Sequence, residues 1–234
     1  MPILLALDAS SSACSAALLI QQEGGREQLV SRFALTPREH TRRLLPMVDE
    51  VLAEAGVTLA QLDAVAYGRG PGSFTGLRIA SGTAQGLAYG RDRPLLGFST
   101  LETLALHAHR RHGQTHSVTA MDARMGEIYV AAWQCGADGI EALLPEAVMA
   151  PQALQLPSLQ AGNEWYGIGS GWALAESMPV TTLALVSQRK ATTEPAAEEM
   201  VLLAARDYAQ GIRPMAQESQ PIYLRDQVAW QKGA

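Results

Sequence analysis

Cysteine is scarce in this 234-residue chain, with Cys14 and Cys135 as its whole complement. Two thiols so far apart supply neither a disulfide framework nor a Cys-x-x-Cys metal site, and both are expected to be inert core residues in a reducing cytoplasm. No apolar run reaches the length a bilayer helix needs, and no basic n-region or small-residue cleavage site precedes the first apolar stretch. A cytoplasmic protein without membrane association is therefore expected. Basic charge is also short: 18 Lys and Arg stand against 23 Asp and Glu, for a net charge of −5. Autonomous nucleic-acid binders usually leave a basic footprint, so any RNA contact should need a partner's surface. Low-complexity segments and long linkers are missing as well. What remains is 47% hydrophobic residues, ample for one large domain or two small ones.

The chain is organised around Gly68 to Gly82, where the apolar run Ala64 to Tyr67 empties into a glycine-rich loop and then a helical segment. Gly68, Gly70, Gly72 and Gly76 fall where the chain must turn, and Pro71 stiffens the same turn. Two readings stand side by side. Such a loop, opening a helix whose first N–H groups lack partners, can hold an anion; equally, small residues let a strand and a helix pack closely. The spacing matches neither the GxxxxGK[ST] phosphate loop nor a dinucleotide fingerprint. Beyond the loop, Gly82, Gly86 and Gly90 recur every fourth residue, as do Ala80, Ala84 and Ala88. Residues four apart share a helix face, and each interior glycine costs up to about 1 kcal/mol relative to alanine. Close approach of another backbone would offset that cost.

Taken in order, Ile3 to Leu7, Ala13 to Ile20 and Leu29 to Leu35 read as strands joined in two hairpins, with Asp8 ending the first and Gly24-Gly25 turning the second. Asp8 before the Ser10 to Ser12 turn is either a reactive carboxylate or a strand-end cap. Thr36-Pro-Arg-Glu39 predicts a capping box opening a helix from Pro37 to about Ala55, bent at Pro46 and stopped by Gly56. Pro94 to Phe98 is the next strand, and Ser99-Thr-Leu-Glu102 a second capping box. Three strands, then alternating helices and strands, suit an antiparallel meander continued by parallel crossovers. His107, His109, His112 and His116 crowd together, but Gly113 separates the last two and no acidic or Cys residue lies among them, so a solvated helix end is expected rather than a metal site.

Ser117 to Met121, Asp122-Ala-Arg-Met-Gly-Glu127 and Ile128 to Cys135 repeat the strand, Asp, turn, strand pattern of the N-terminus, as two similar facing subdomains would. Glu141 to Met149 adds a third strand. Tyr166 to Trp172 is a second glycine-rich strand exit, and Glu194-Pro195 starts a last helix ending at Gly211, with Val201, Ala204, Ala205 and Tyr208 on one face. The tail from Asp226 is expected to be mobile.

With Asp8-Ala-Ser, Gly70-Pro-Gly-Ser-Phe-Thr-Gly-Leu-Arg78, Asp122 to Glu127 and Pro221-Ile-Tyr-Leu-Arg225 in this order, the chain resembles the TsaB family, also called YeaZ, over nearly its whole length. The resemblance implies an α/β actin-like ATPase (ASKHA), ribonuclease-H-like fold with a mixed five-stranded sheet in its N-terminal lobe. The implied lobes are 1–103, with the helix 195–211 packing back near it, and a smaller 104–194, followed by a tail 212–234. Asp8, Ser10, Gly70, Pro71, Gly72, Ser73, Phe74, Thr75 and Gly76 then form the family-motif loop.

The resemblance implies no cofactor and no metal of the chain's own, and a non-catalytic subunit. It would bind TsaD and, with TsaE, support threonylcarbamoyl transfer to the adenosine beside the tRNA anticodon. It would pair with a second copy when alone, and meet tRNA only through the complex. TsaD carries a metal-binding His pair at places that align here with Thr100 and Leu104. Four-helix packing would involve His40, Arg43, Leu44, Met47, Val48 and Val51 on one helix and Arg78, Ile79, Gly82, Thr83, Gly86 and Tyr89 on the other. The alternative from another class is an ATP-dependent small-molecule kinase of the same fold, using Asp8 or Asp122.

Overall fold

The computed structural model describes residues 1–137 and 139–225. The tail expected to be mobile from Asp226 lies outside them. Two five-stranded sheets carry the chain. The first is built from β1 (Ile3–Asp8), β2 (Ala13–Gln21), β3 (Glu27–Leu35), β4 (Ala64–Gly70) and β5 (Leu95–Ser99), in the order β3-β2-β1-β4-β5. β1 and β2 and then β2 and β3 pair antiparallel, whereas β4 joins β1 and β5 joins β4 in parallel. The second sheet contains β6 (His116–Arg124), β7 (Glu127–Gly136), β8 (Gly139–Met149), β9 (Trp165–Ile168) and β10 (Val186–Lys190). Read as β8-β7-β6-β9-β10 it has the same order and the same strand senses. The repetition seen in the sequence as strand, Asp, turn, strand is therefore a repetition of whole sheets.

Helices cover the sheets on faces set by side-chain period. α1 (His40–Ala55) and α2 (Phe74–Tyr89) lie against one face of the first sheet. α1 buries Leu44, Met47, Val48, Val51 and Leu52, a three-and-four spacing that makes one stripe. α2 buries Leu77, Ala80, Ala84 and Ala88. The opposite face takes α5 (Ala197–Ala209) through Met200, Val201, Ala204 and Ala205. β1, covered on both sides, is buried from Leu4 to Asp8, as its unbroken apolar run requires. α3 (Thr100–His112) packs its Leu101, Leu104, Ala105 and Ala108 against β6, β7 and β9, so it covers the second sheet while keeping contact with β4, β5 and α5. On the far face of that sheet, Trp165 and Trp172 pack with Leu154 and Met178 around a 3-10 segment, Ser170–Ser177, and the short α4 (Val180–Ala184).

Several local expectations change. Thr36 to Glu39 is a separate turn in which Glu39 N–H donates to the Thr36 carbonyl and Arg38 takes φ 69°, so α1 starts at His40 without a side-chain cap. Pro37 stands outside the helix rather than at its first position. The C-terminal stop at Gly56 holds, with φ 67°. Ser99 caps α3 by accepting from the N–H groups of Leu101 and Glu102, but the Glu102 carboxylate turns away to Arg206. α5 begins two residues after Pro195. β10 and α4 were not foreseen.

The glycines of the first half divide into two kinds. A Cβ on Gly68, Gly72 or Gly76 would overlap Asp8 Oδ1, the Ser10 carbonyl or the Ala9 carbonyl, whereas a Cβ on Gly82 or Gly86 meets nothing within 4 Å. Gly76→Ala should therefore lower unfolding free energy by more than about 2 kcal/mol through backbone displacement, while Gly82→Ala should raise it by up to about 1 kcal/mol through helix propensity. Urea titration of the two variants checks this; shifts in the same direction contradict it.

Candidate functional site

A cleft of about 1000 Å³ opens between the carboxyl ends of the two sheets' central strands. The first sheet contributes the Ser10 to Ser12 turn, Arg38 and His40, and the loop Pro71 to Thr75. The second contributes Met121 to Arg124, Tyr129 and Ser170. Asp8 lies beneath the turn, fully buried. Ser10 donates its N–H (3.3 Å) and its hydroxyl (2.9 Å) to Asp8 Oδ2, while Oδ1 faces Gly68 without a hydrogen-bond partner. Burial pushes this carboxyl up to about 7; the Ser10 and Ala9 hydrogen bonds oppose the shift, and the negative charge of Glu194 adds to it. Glu194, unremarked as a site residue in the sequence, accepts the Ser12 hydroxyl at 2.8 Å and lines the cleft.

The glycine loop is folded down on this turn. Ser73 N–H donates to the Ser10 carbonyl at 2.7 Å, and Gly76 and Leu77 N–H groups are taken by the Ser73 hydroxyl and carbonyl. Of the two readings of the loop, close packing accounts for Gly68, Gly72 and Gly76. Gly70 has φ 110°, accessible to glycine, and the Gly70–Pro71 bond is cis. Phe74 and Thr75 are exposed at the start of α2. Thr100 is fully buried and its hydroxyl donates to the Pro71 carbonyl; Leu104 is buried in the apolar cluster of α3. A threonine so engaged and a leucine are not a metal-ligand pair. In the second sheet, Asp122 accepts from Arg124 N–H (2.7 Å) and Arg124 Nη1 (3.1 Å), and Glu127 pairs with Arg225.

The residues assigned to a partner face do not all reach it. Leu44, Met47, Val48 and Val51 are at most 4% exposed, because the apolar stripe of α1 is consumed by its own sheet. They are withdrawn as contact residues. His40 lines the cleft, its Nε2 3.0 Å from the Ser11 carbonyl, so it belongs to the cleft wall. Arg43, Arg78, Gly82, Gly86 and Tyr89 are exposed, and Ile79 and Thr83 half-buried. Leu45, also on α1, is 48% exposed and was not among the residues assigned to the partner face.

Paired sheets of this order about a cleft, with a buried strand-end aspartate under a serine turn, define an actin-like (ASKHA) α/β protein. A family model described as "TsaD: tRNA N6-adenosine threonylcarbamoyltransferase" matches residues 34–233. The chain is 42% identical to the tRNA threonylcarbamoyladenosine biosynthesis protein TsaB of Escherichia coli over 98% of its length and 97% of the relative's. The Haemophilus influenzae protein of the same name is 40% identical over 98% and 96%. The solved structure of YeaZ from Pseudomonas aeruginosa superposes with a TM-score of 0.87 at 41% identity, covering 96% of this chain and all of that one. The chain belongs to the TsaB (YeaZ) family.

The raised Asp8 pKa has a measurable consequence. A carboxyl whose folded pKa lies above its unfolded value contributes stability that is complete below about pH 4 and is lost as pH rises through about 7. Asp8→Asn, which keeps an acceptor for Ser10 and cannot ionise, should flatten the stability profile between those limits. At pH 8 it should unfold with a free energy on the order of 4 kcal/mol above the parent's. Thermal melts across pH check this; an unchanged profile contradicts it.

Proposed function

We propose that this protein acts in the formation of threonylcarbamoyladenosine in tRNA as a non-catalytic subunit, supporting a TsaD-type transferase through an interface on the outer faces of α1 and α2, with TsaE as the third component. The shared name of relatives covering almost the whole chain supports the process. Within this reading the lobes are 1–103 with 195–211, and 104–194. The observation that carries the interface is the pair Gly82 and Gly86. Both are exposed in mid-helix with open space where a Cβ would stand. Nothing in the packing of the described residues needs them to be glycine, and each costs helix stability. The requirement is met by a helix of another chain approaching closely, with Ile79, Thr83 and Tyr89 beside the contact and Arg43 and Arg78 at its rim.

The cleft supports the non-catalytic part of the reading. The loop's N–H groups at Ser73, Gly76 and Leu77 are engaged by the chain itself, and Thr100 and Leu104 stand where the transferase's metal pair aligns. Chemistry then belongs to the partner.

Gly86→Leu should leave circular dichroism and the thermal transition of the isolated protein intact, since a Cβ at this position meets no atom of the described residues within 4 Å. It should abolish co-elution with TsaD and weaken association at least a hundredfold by light-scattering titration. Undiminished binding by a folded variant contradicts the interface. Retained binding together with loss on substituting cleft residues would move it to the cleft.

A further inference from the structure

The segment after α5 is neither helix nor strand, yet it is fastened residue by residue. Leu95 N–H donates to the Pro214 carbonyl at 3.0 Å, and the Ser219 hydroxyl donates to the Leu95 carbonyl at 2.6 Å. Gln85 Nε2 of α2 donates to the Ser219 carbonyl at 2.8 Å, and Ile222 N–H donates to the Arg69 carbonyl at 2.7 Å. Tyr223 then lies against the Phe74 ring, centroids 5.5 Å apart, and its hydroxyl accepts from Arg78 Nε at 3.3 Å. The Arg78 guanidinium in turn sits over Phe74 at 3.9 Å. Each of these partners belongs to β4, β5 or α2.

Two residues later the partner changes. Arg225 donates to the carboxylate of Glu127, the first residue of β7 in the second sheet, and its Nη1 lies 3.7 Å from Met125 Sδ in the same hairpin. Ile222 to Arg225 thus line the cleft and cross from one wall to the other. One other ion pair joins the same sheets among the described residues, Arg69 to Glu146 at 3.6 Å, and its Arg69 is also the residue whose carbonyl holds Ile222.

We infer that residues 214–225 form a clasp that sets the width of the interlobe cleft, anchored on the α2 side by Tyr223 and on the second sheet by the Arg225 to Glu127 pair. The two walls are joined by α3, which follows β5 and packs against the second sheet, and by the return of the chain from β10 to α5, so rotation about these two connections opens or closes the cleft. A chain running from β4 across the opening limits that rotation. The ion pair alone is partly exposed, and such pairs contribute little to global stability. Its effect is therefore on the distribution between open and closed states rather than on folding. This inference does not depend on which partner α1 and α2 meet.

The test uses spin labels on the full chain at the exposed positions Thr41→Cys in α1 and Ala173→Cys in the Ser170–Ser177 segment, the two native thiols being buried. The parent should give one narrow interlabel distance by pulsed electron resonance. Arg225→Glu and the near-isosteric Glu127→Gln should broaden it toward longer distances, and the exchange Glu127→Arg with Arg225→Glu should restore the narrow form. Distributions unchanged in both single variants, or an exchange that fails to restore, overturn the clasp.

Discussion

The site of the first sheet depends on a tight contact between two pieces of backbone, the loop Gly68 to Gly76 and the turn Asp8 to Ser10. Ser73 N–H reaches the Ser10 carbonyl at 2.7 Å, and no side chain fits at Gly68, Gly72 or Gly76. Much of the site follows from that contact. It buries Asp8 and raises its pKa by desolvation, engages N–H groups at the start of α2, and fixes where α2 emerges from the sheet. It also brings the Pro71 carbonyl over Thr100, linking the loop to the start of α3 and hence to the second sheet.

α2 is positioned by its buried alanines, by the loop and by the bonds that Gln85 and Arg78 make to Ser219 and Tyr223. Ala80, Ala84 and Ala88 touch the sheet, and Gly82 and Gly86 look outward. The same helix therefore separates the two roles assigned to the first sheet: an inner side that holds the loop against the aspartate, and an outer side small enough for another helix. The segment ending in Tyr223 and Arg225 rests on the first turn of that helix, at the boundary between the outer face and the cleft.

Much of this was legible in the sequence for definite reasons. Continuous apolar runs at Ile3 to Leu7 and Ala64 to Tyr67 mark central strands, and the recurrence of Asp8 and Asp122 at strand ends marks the duplicated sheet. β10 escaped because Val186 is its only buried residue, leaving no alternation to read. Glu194 escaped because its partner Ser12 is 182 positions away. Leu44, Met47, Val48 and Val51, expected at a partner face, are buried by the first sheet instead: apolar spacing shows that a face is buried, not by what. The Pro221 to Arg225 motif was visible, but the Glu127 it pairs with could only be found in three dimensions.

In the interlobe cleft the Ser73, Gly76 and Leu77 N–H groups and Asp8 Oδ2 are committed to the chain itself, and on the proposed reading the cleft holds no nucleotide. Calorimetric titration of the isolated 234-residue chain with Mg-ATP tests this most directly. The account predicts no saturable heat at nucleotide concentrations up to the millimolar range. A stoichiometric isotherm with a micromolar dissociation constant, lost on substituting Asp8 or Ser73, would contradict it.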